Sequence, residues 1–94
     1  MYKVFFHPAF KKDTKKLHKK LIERLEKVTD EIAENPHNCE RLKGVLHEVY
    51  RHKIRFLKVE YRLAFVIENS EIIFLMFRKR ENFYKYLKRR LTGN

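Results

Sequence analysis

The second half of the chain carries side chains whose types and spacing suit phosphate. Arg51, Lys53 and Arg55 recur at every second position of YRHKIRF, so on a β-strand all three would project to one side. Arg62 follows, then the cluster Arg78, Lys79 and Arg80, and then Tyr84 and Tyr86. Guanidinium and ammonium groups neutralise phosphate oxygens, and a phenol beside them can stack on a base or move a proton. The residues that alternate with the first three cations, Tyr50, His52, Ile54 and Phe56, are mostly those a core would take. A strand here would therefore show a core on one face and a positive row on the other. Such a row also suits a plain solvated face. What favours an anion is that antiparallel neighbours would bring Arg62 and the 78–80 cluster alongside it, at a cost in like-charge repulsion.

Other site chemistries lack their parts. His7, His18, His37, His47 and His52 are scattered, and Cys39 is alone, so neither a metal-ligand spacing nor an internal disulfide is present. The only serine, Ser70, sits in a predicted tight turn, and Gly44 and Gly93 cannot make a glycine-rich phosphate loop. No metal or cofactor is expected. His52 alternates with Ile54 and Phe56 and reads as a packed or edge histidine, and Cys39 as an incidental loop residue. Lys11, Lys12, Lys15, Lys16, Lys19 and Lys20 form the wet side of a first helix, with Lys12 and Lys16 the candidates for a second phosphate contact. Tyr84 and Tyr86 lie about 200° apart on a helical wheel, so they cannot both face the core.

The elements that must position these groups follow from periodicity. Tyr2–Phe6 reads as a first strand closed by Pro8. From Phe10 the spacing turns helical, and Leu21, Ile22, Leu25, Val28, Ile32 and Ala33 form one apolar stripe that ends at Asn35-Pro36. A break near 18–20 is expected to fold this region into a helical hairpin. Three strands follow, at about 46–57, 61–67 and 72–77, the last two joined by the polar turn Glu68-Asn69-Ser70. A final helix over 81–91 places Phe83, Tyr84, Leu87 and Leu91 on one side. The order β-α-α-β-β-β-α predicts an α+β fold: an antiparallel four-stranded sheet with an N-terminal helical hairpin and a short C-terminal helix, the helices on one face.

Composition bounds the partner. The chain has 94 residues, 44 % hydrophobic, and a net charge of +11, which predicts a single domain spanning 1–94 and an anionic partner. The charge is uneven: residues 41–94 hold 14 Lys and Arg against 5 Glu, whereas residues 1–40 hold 9 against 7 acidic groups. The lone cysteine fits a reducing cytoplasm, and with no apolar run long enough to span a bilayer, no membrane partner is expected.

Taken in order, these pieces resemble the RelE/ParE toxin superfamily. The resemblance runs from Tyr2 to about Tyr86. It is carried by F-x-x-x-F-x-K-D at Phe6–Asp13, the turn at Glu34–Pro36 and L-K-G at Leu42–Gly44. The basic strand from Tyr50, Y-R-L-A-F at Tyr61–Phe65 and R-E-N-F-Y at Arg80–Tyr84 complete it.

The resemblance implies a RelE-like fold and the toxin of a type II toxin-antitoxin pair, restrained by a cognate acidic antitoxin. RelE-type members are ribosome-dependent endoribonucleases that cut mRNA in the A site; ParE-type members poison DNA gyrase and lack the catalytic set. RelE-like catalytic positions map to Lys53, Arg55, Arg62, Arg80 and Tyr84, all holding suitable chemistry without a metal. Arg51, Arg78, Lys79, Tyr86, Lys12 and Lys16 are the expected RNA-binding residues. Two departures stand out. The segment Phe56–Glu60 is longer than the family's usual glycine turn, which leaves Arg51 and Lys53 as an alternative register for the roles of Lys53 and Arg55. Lys79 stands where some members carry a histidine. The alternatives to the mRNA endonuclease are a gyrase inhibitor and a non-catalytic nucleic-acid-binding member.

Overall fold

The aromatic and β-branched run after Tyr2 forms strand β1 (Lys3–Phe6) in the computed structural model, which describes residues 2–93. Helix α1 (Phe10–Thr14) is one short turn, and α2 (Lys19–Glu34) carries the apolar stripe, burying Leu21, Leu25, Thr29 and Ile32. The break between them falls at 15–18, a little earlier than expected. There His18 acts as N-cap, its Nδ1 accepting from the Lys20 amide at 3.0 Å, which satisfies one of the free amides at a helix start. Asn35-Pro36 ends α2 as predicted, the Asn35 amide closing on Ile32 O at 3.1 Å.

Strands β2 (Glu40–Arg41), β3 (Val49–Phe56), β4 (Val59–Glu68) and β5 (Glu71–Lys79) complete the sheet, and α3 (Phe83–Thr92) follows. The sheet has five strands in the order β1-β5-β4-β3-β2, with β1 parallel to β5 and the other pairs antiparallel. This corrects the expected four-stranded antiparallel sheet while keeping the α+β class. The added strand is only two residues, below what periodicity can register. Strand β1 lies parallel because Val4 and Phe6 come beside Ile72 and Phe74, where the Phe6 ring stacks on Phe74 at 5.4 Å.

The β3–β4 connection is also tighter than expected. Phe56 already pairs with Val59, leaving Leu57 and Lys58 as a two-residue turn with φ of 48° and 67°. Both are left-handed, the requirement of a type I′ hairpin, here met without glycine. The turn sets Lys53 opposite Arg62 and Arg55 opposite Glu60.

The helices divide between the two faces of the sheet, another departure from the expected single layer. Helices α1 and α2 cover Ile54, Leu63, Phe65, Ile72, Phe74 and Phe77. Helix α3 instead presses Phe83 and Leu87 onto Val49, Ala64, Leu75 and Met76 on the opposite face. An irregularity between Ala64 and Phe65 leaves Leu75 without a register partner, a bulge that bends β5 under α3. Leu91 is 43 % exposed and does not join the packed seam.

One ion pair ties the layers together. Asp13 on α1 accepts from Arg90 of α3 through Nη1 at 2.5 Å and Nη2 at 2.9 Å, and from the Phe77 amide at 3.0 Å. Its side chain is only 3 % exposed, so this carboxylate is turned into the structure rather than toward the lysines beside it. Among the described residues, no helix is long and apolar enough to cross a membrane.

Candidate nucleic-acid interface

Strand alternation and hairpin register assemble the site. Lys53 on β3 stands opposite Arg62 on β4, which stands opposite Arg78 on β5, so three cations lie side by side across three strands. Arg51 and Arg55 flank Lys53 on the same face. Like charges placed directly opposite repel, and specific neighbours relieve them. Arg62 Nε donates to Glu60 Oε2 at 2.8 Å, and its guanidinium lies 5.5 Å from the Tyr84 ring centroid. Arg78 lies 3.9 Å over the Tyr86 ring, with Arg89 at 5.8 Å from the same ring. These are cation–π distances.

Helix α3 delivers the tyrosines because the chain reverses sharply at its start. Asn82 adopts φ 57°, and the Phe83 amide closes on Arg80 O at 3.2 Å. With Phe83 and Leu87 on the packed seam, Tyr84 falls to one flank and Tyr86 to the other. Neither turns fully outward: both are half-buried, each against its own arginine. Arg51 donates through Nη1 to the Tyr84 hydroxyl and pairs through Nη2 with Glu40, while its Nε is buried without a partner. Arg51 therefore holds the phenol in place and has little freedom to serve as a loose phosphate contact.

The remaining expected residues divide. Lys53 and Arg55 are exposed, and neither side chain enters an ion pair among the described residues. Arg80 is 61 % exposed beside Glu81 at 3.6 Å, and its amide extends the ladder by donating to Glu60 O at 3.0 Å. Lys79 stands opposite Tyr61, whose ring stacks on Phe77 at 5.3 Å, so it projects to the α1–α2 side, away from the cation row. It still reaches the rim of a groove of about 570 Å³, where Lys12, Arg78 and Tyr86 also line the wall. Lys16 is exposed in the turn after α1.

A second groove of about 500 Å³ opens on the Tyr84 flank, walled by Leu42, Leu46, Arg51 and Tyr84 with Arg41 and Lys88 at its edge. His52 lies on the other face toward α2, its Nδ1 3.9 Å from Cys39 Sγ. Burial pushes the His52 pKa down, with Glu31 opposing and Arg24 adding, and burial pushes the Cys39 thiol up. Among the described residues no group of three or more His, Cys, Asp or Glu could hold a metal ion.

Glu60 is the participant that the sequence reading passed over. Its hydrogen bond from Arg62 holds the carboxyl below the usual range; burial opposes this, and the charges of Arg62, Lys53 and Arg80 add to it. The signal was available, since Glu60 precedes Arg62 by one strand period.

A small α+β fold with helices on both faces of a mixed sheet, and arginines and tyrosines gathered under its last helix, is that of the RelE/ParE toxin superfamily. Residues 4–88 match the family model described as ParE-like toxin of type II bacterial toxin-antitoxin system, and the chain belongs to this family. Among solved structures, it resembles an E. coli RelE toxin double mutant in the free state: 26 % identity, TM-score 0.72, 90 % of each chain covered. It also resembles the intact E. coli RelBE toxin-antitoxin complex, at 25 % identity and TM-score 0.69, covering 86 % of this chain and 99 % of that one. A Helicobacter pylori protein, HP0894, shares the fold at 17 % identity and TM-score 0.54, with 85 % of this chain and 96 % of that one covered. A sequence comparison with curated proteins finds no match.

Proposed function

We propose that this toxin is a ribosome-dependent endoribonuclease that cuts mRNA in the A site and so stops translation. The observation that carries the reading is the cross-strand row Lys53–Arg62–Arg78 with Tyr84 laid against Arg62. Cleavage by an RNA 2′-hydroxyl on its own phosphate builds negative charge on a phosphorane, and preorganised cations stabilise that charge better than mobile water does. Lys53, Arg55 and Arg62 would hold the scissile phosphate. Arg80 would neutralise the leaving side, and Tyr84, fixed by Arg51, would orient the reacting nucleotide or stack on its base. The Arg78–Tyr86–Arg89 cluster, with Lys12 and Lys79 at its rim, would carry a neighbouring stretch of single-stranded RNA. No metal is needed for this chemistry.

The same face would meet an acidic antitoxin when the toxin is restrained. Net charge of +11 supports that partner, as does the toxin-antitoxin assembly formed by the E. coli relative. The protein would then act in the cytoplasm, where ribosomes and mRNA are. A second reading, a gyrase poison, draws on the ParE-like description of the matching family.

Primer extension on a defined mRNA in a reconstituted translation reaction, with and without ribosomes, tests the proposal. Ribosome-dependent cuts within A-site codons that vanish in Arg62→Ala are expected. Intact mRNA together with inhibited supercoiling by purified gyrase would replace it with the second reading.

A further inference from the structure

The cation row leaves one chemical need unmet. Charged Lys and Arg side chains carry donors and no acceptor, yet attack by a 2′-hydroxyl requires that its proton go somewhere. Glu60 is the carboxylate set among them. It shares the face by strand alternation, stands opposite Arg55, and accepts from Arg62 Nε through Oε2 at 2.8 Å. Its backbone oxygen is fixed by the Arg80 amide at 3.0 Å. Oε1 makes no hydrogen bond among the described residues. The side chain is 23 % exposed, sheltered yet open to a ligand.

Resting on the ribonuclease reading above, we propose that Glu60 is the catalytic base that accepts the proton of the attacking 2′-hydroxyl. One guanidinium explains how a carboxylate and a phosphate can share the site. Arg62 uses Nε on Glu60, which leaves its terminal nitrogens for phosphate oxygens, so the same side chain bridges base and scissile group. Lys53, Arg55, Arg62 and Arg80 surround Glu60, and the face stays net positive toward RNA. The hydrogen bond from Arg62, with the charges of Arg62, Lys53 and Arg80 adding, keeps the Glu60 carboxyl below its ordinary value, so it stands unprotonated as a weak base whose reach to the 2′-hydroxyl is set by position.

The step balances without an added reagent. The 2′-O–H proton passes to Glu60 Oε1, and the freed oxygen pair forms the P–O2′ bond. The phosphorane's charge falls on Arg62 and Lys53. The P–O5′ bond then breaks, its electron pair leaving on O5′ on the Arg80 side, and O5′ takes a proton from water. A 2′,3′-cyclic phosphate and a 5′-hydroxyl result, and the hydroxide left by that water takes the proton from Glu60.

Single-turnover cleavage of ribosome-bound mRNA tests this, comparing the unmutated protein, Glu60→Gln and Arg62→Ala. Each would act on a normal scissile linkage and on one with a bridging 5′-sulfur, which leaves without an acid. Glu60→Gln should cleave both substrates about 10²–10⁴-fold more slowly, with unchanged affinity for the mRNA-bearing ribosome and a fold that still melts cooperatively above the assay temperature. Cleavage at the unmutated rate overturns the assignment and makes Glu60 a counter-ion for Arg62. A defect that the 5′-sulfur rescues also overturns it, because that places Glu60 on the leaving-group side. Failure of the unmutated protein to cleave overturns the ribonuclease reading and this one together, whereas cleavage lost in Arg62→Ala and kept in Glu60→Gln overturns the base assignment alone.

Discussion

Replacing Asp13 by alanine should be among the most damaging single changes in this protein. The carboxylate is 3 % exposed and takes three hydrogen bonds: two from Arg90, at 2.5 and 2.9 Å, and one from the Phe77 amide at 3.0 Å. Removing it strands the Phe77 N–H, a loss of about 1–3 kcal/mol, and leaves the Arg90 guanidinium half-compensated. Arg90 keeps its bond to Leu75 O at 2.8 Å and 13 % exposure, which trims the roughly 3–5 kcal/mol typical of breaking a buried pair. A net cost of about 3–4 kcal/mol follows, against a total of about 5–14 kcal/mol expected for a chain of this length. In a thermal melt, this is a fall in Tm on the order of 12–30 °C. Urea unfolding followed by far-UV circular dichroism measures it directly. Arg90→Ala should cost at least as much, because it leaves an ionised carboxylate buried beside only an amide. The double variant Asp13→Ala/Arg90→Ala should cost clearly less than the sum of the two singles, since removing both partners leaves no unpaired buried charge. A cost below about 1 kcal/mol for Asp13→Ala, or additive effects in the double-mutant cycle, would refute the argument that this pair clamps α1 and α3 across β5.

Three further outcomes are expected. Leu57 is 73 % exposed and, with Lys58, holds a left-handed turn conformation, so Leu57→Asn/Lys58→Gly should stabilise the fold by about 1–2 kcal/mol in the same unfolding assay. Carbon-13 NMR titration should place the Glu60 carboxyl below the ordinary value of 4.5, and Arg62→Gln should return it upward; a carboxyl so depressed contributes stability above its unfolded pKa that is lost as pH falls through the folded one. His52 has a folded pKa below its ordinary 6.5 because burial disfavours the charged ring. Its unfolded form therefore binds the extra proton, and stability should decline as pH drops from about 7 toward 5; a flatter Tm-versus-pH curve in His52→Gln checks this.

Much of the site could be read from local order. Arg51, Lys53 and Arg55 alternate with core residues, and the strand that this predicted is β3, with those cations on the face away from α2. The turn at Glu68–Ser70 was legible for the same reason, since a polar trio between apolar runs is a short-range signal. The β3–β4 turn was not, because Leu57 and Lys58 are residue types that rarely take positive φ, and only pairing from both flanking strands holds them there. The placement of α3 escaped the sequence as well. Phe83 and Leu87 mark a buried seam, but helical periodicity does not say which face of the sheet receives it.

By itself, the sequence determined the elements, the α+β class and the basic character of one strand face, because these follow from periodicities of two and 3.6 residues over short windows. Tertiary structure alone decided that β1 runs parallel to β5, that α3 lies opposite α1 and α2, and that Asp13 meets Arg90 across the sheet. It also decided that Glu60 sits among the cations and that Tyr84 and Tyr86 each find an arginine. Those relations join residues distant in the chain, and what selects them is the burial of apolar faces and the pairing of buried charge rather than any local preference.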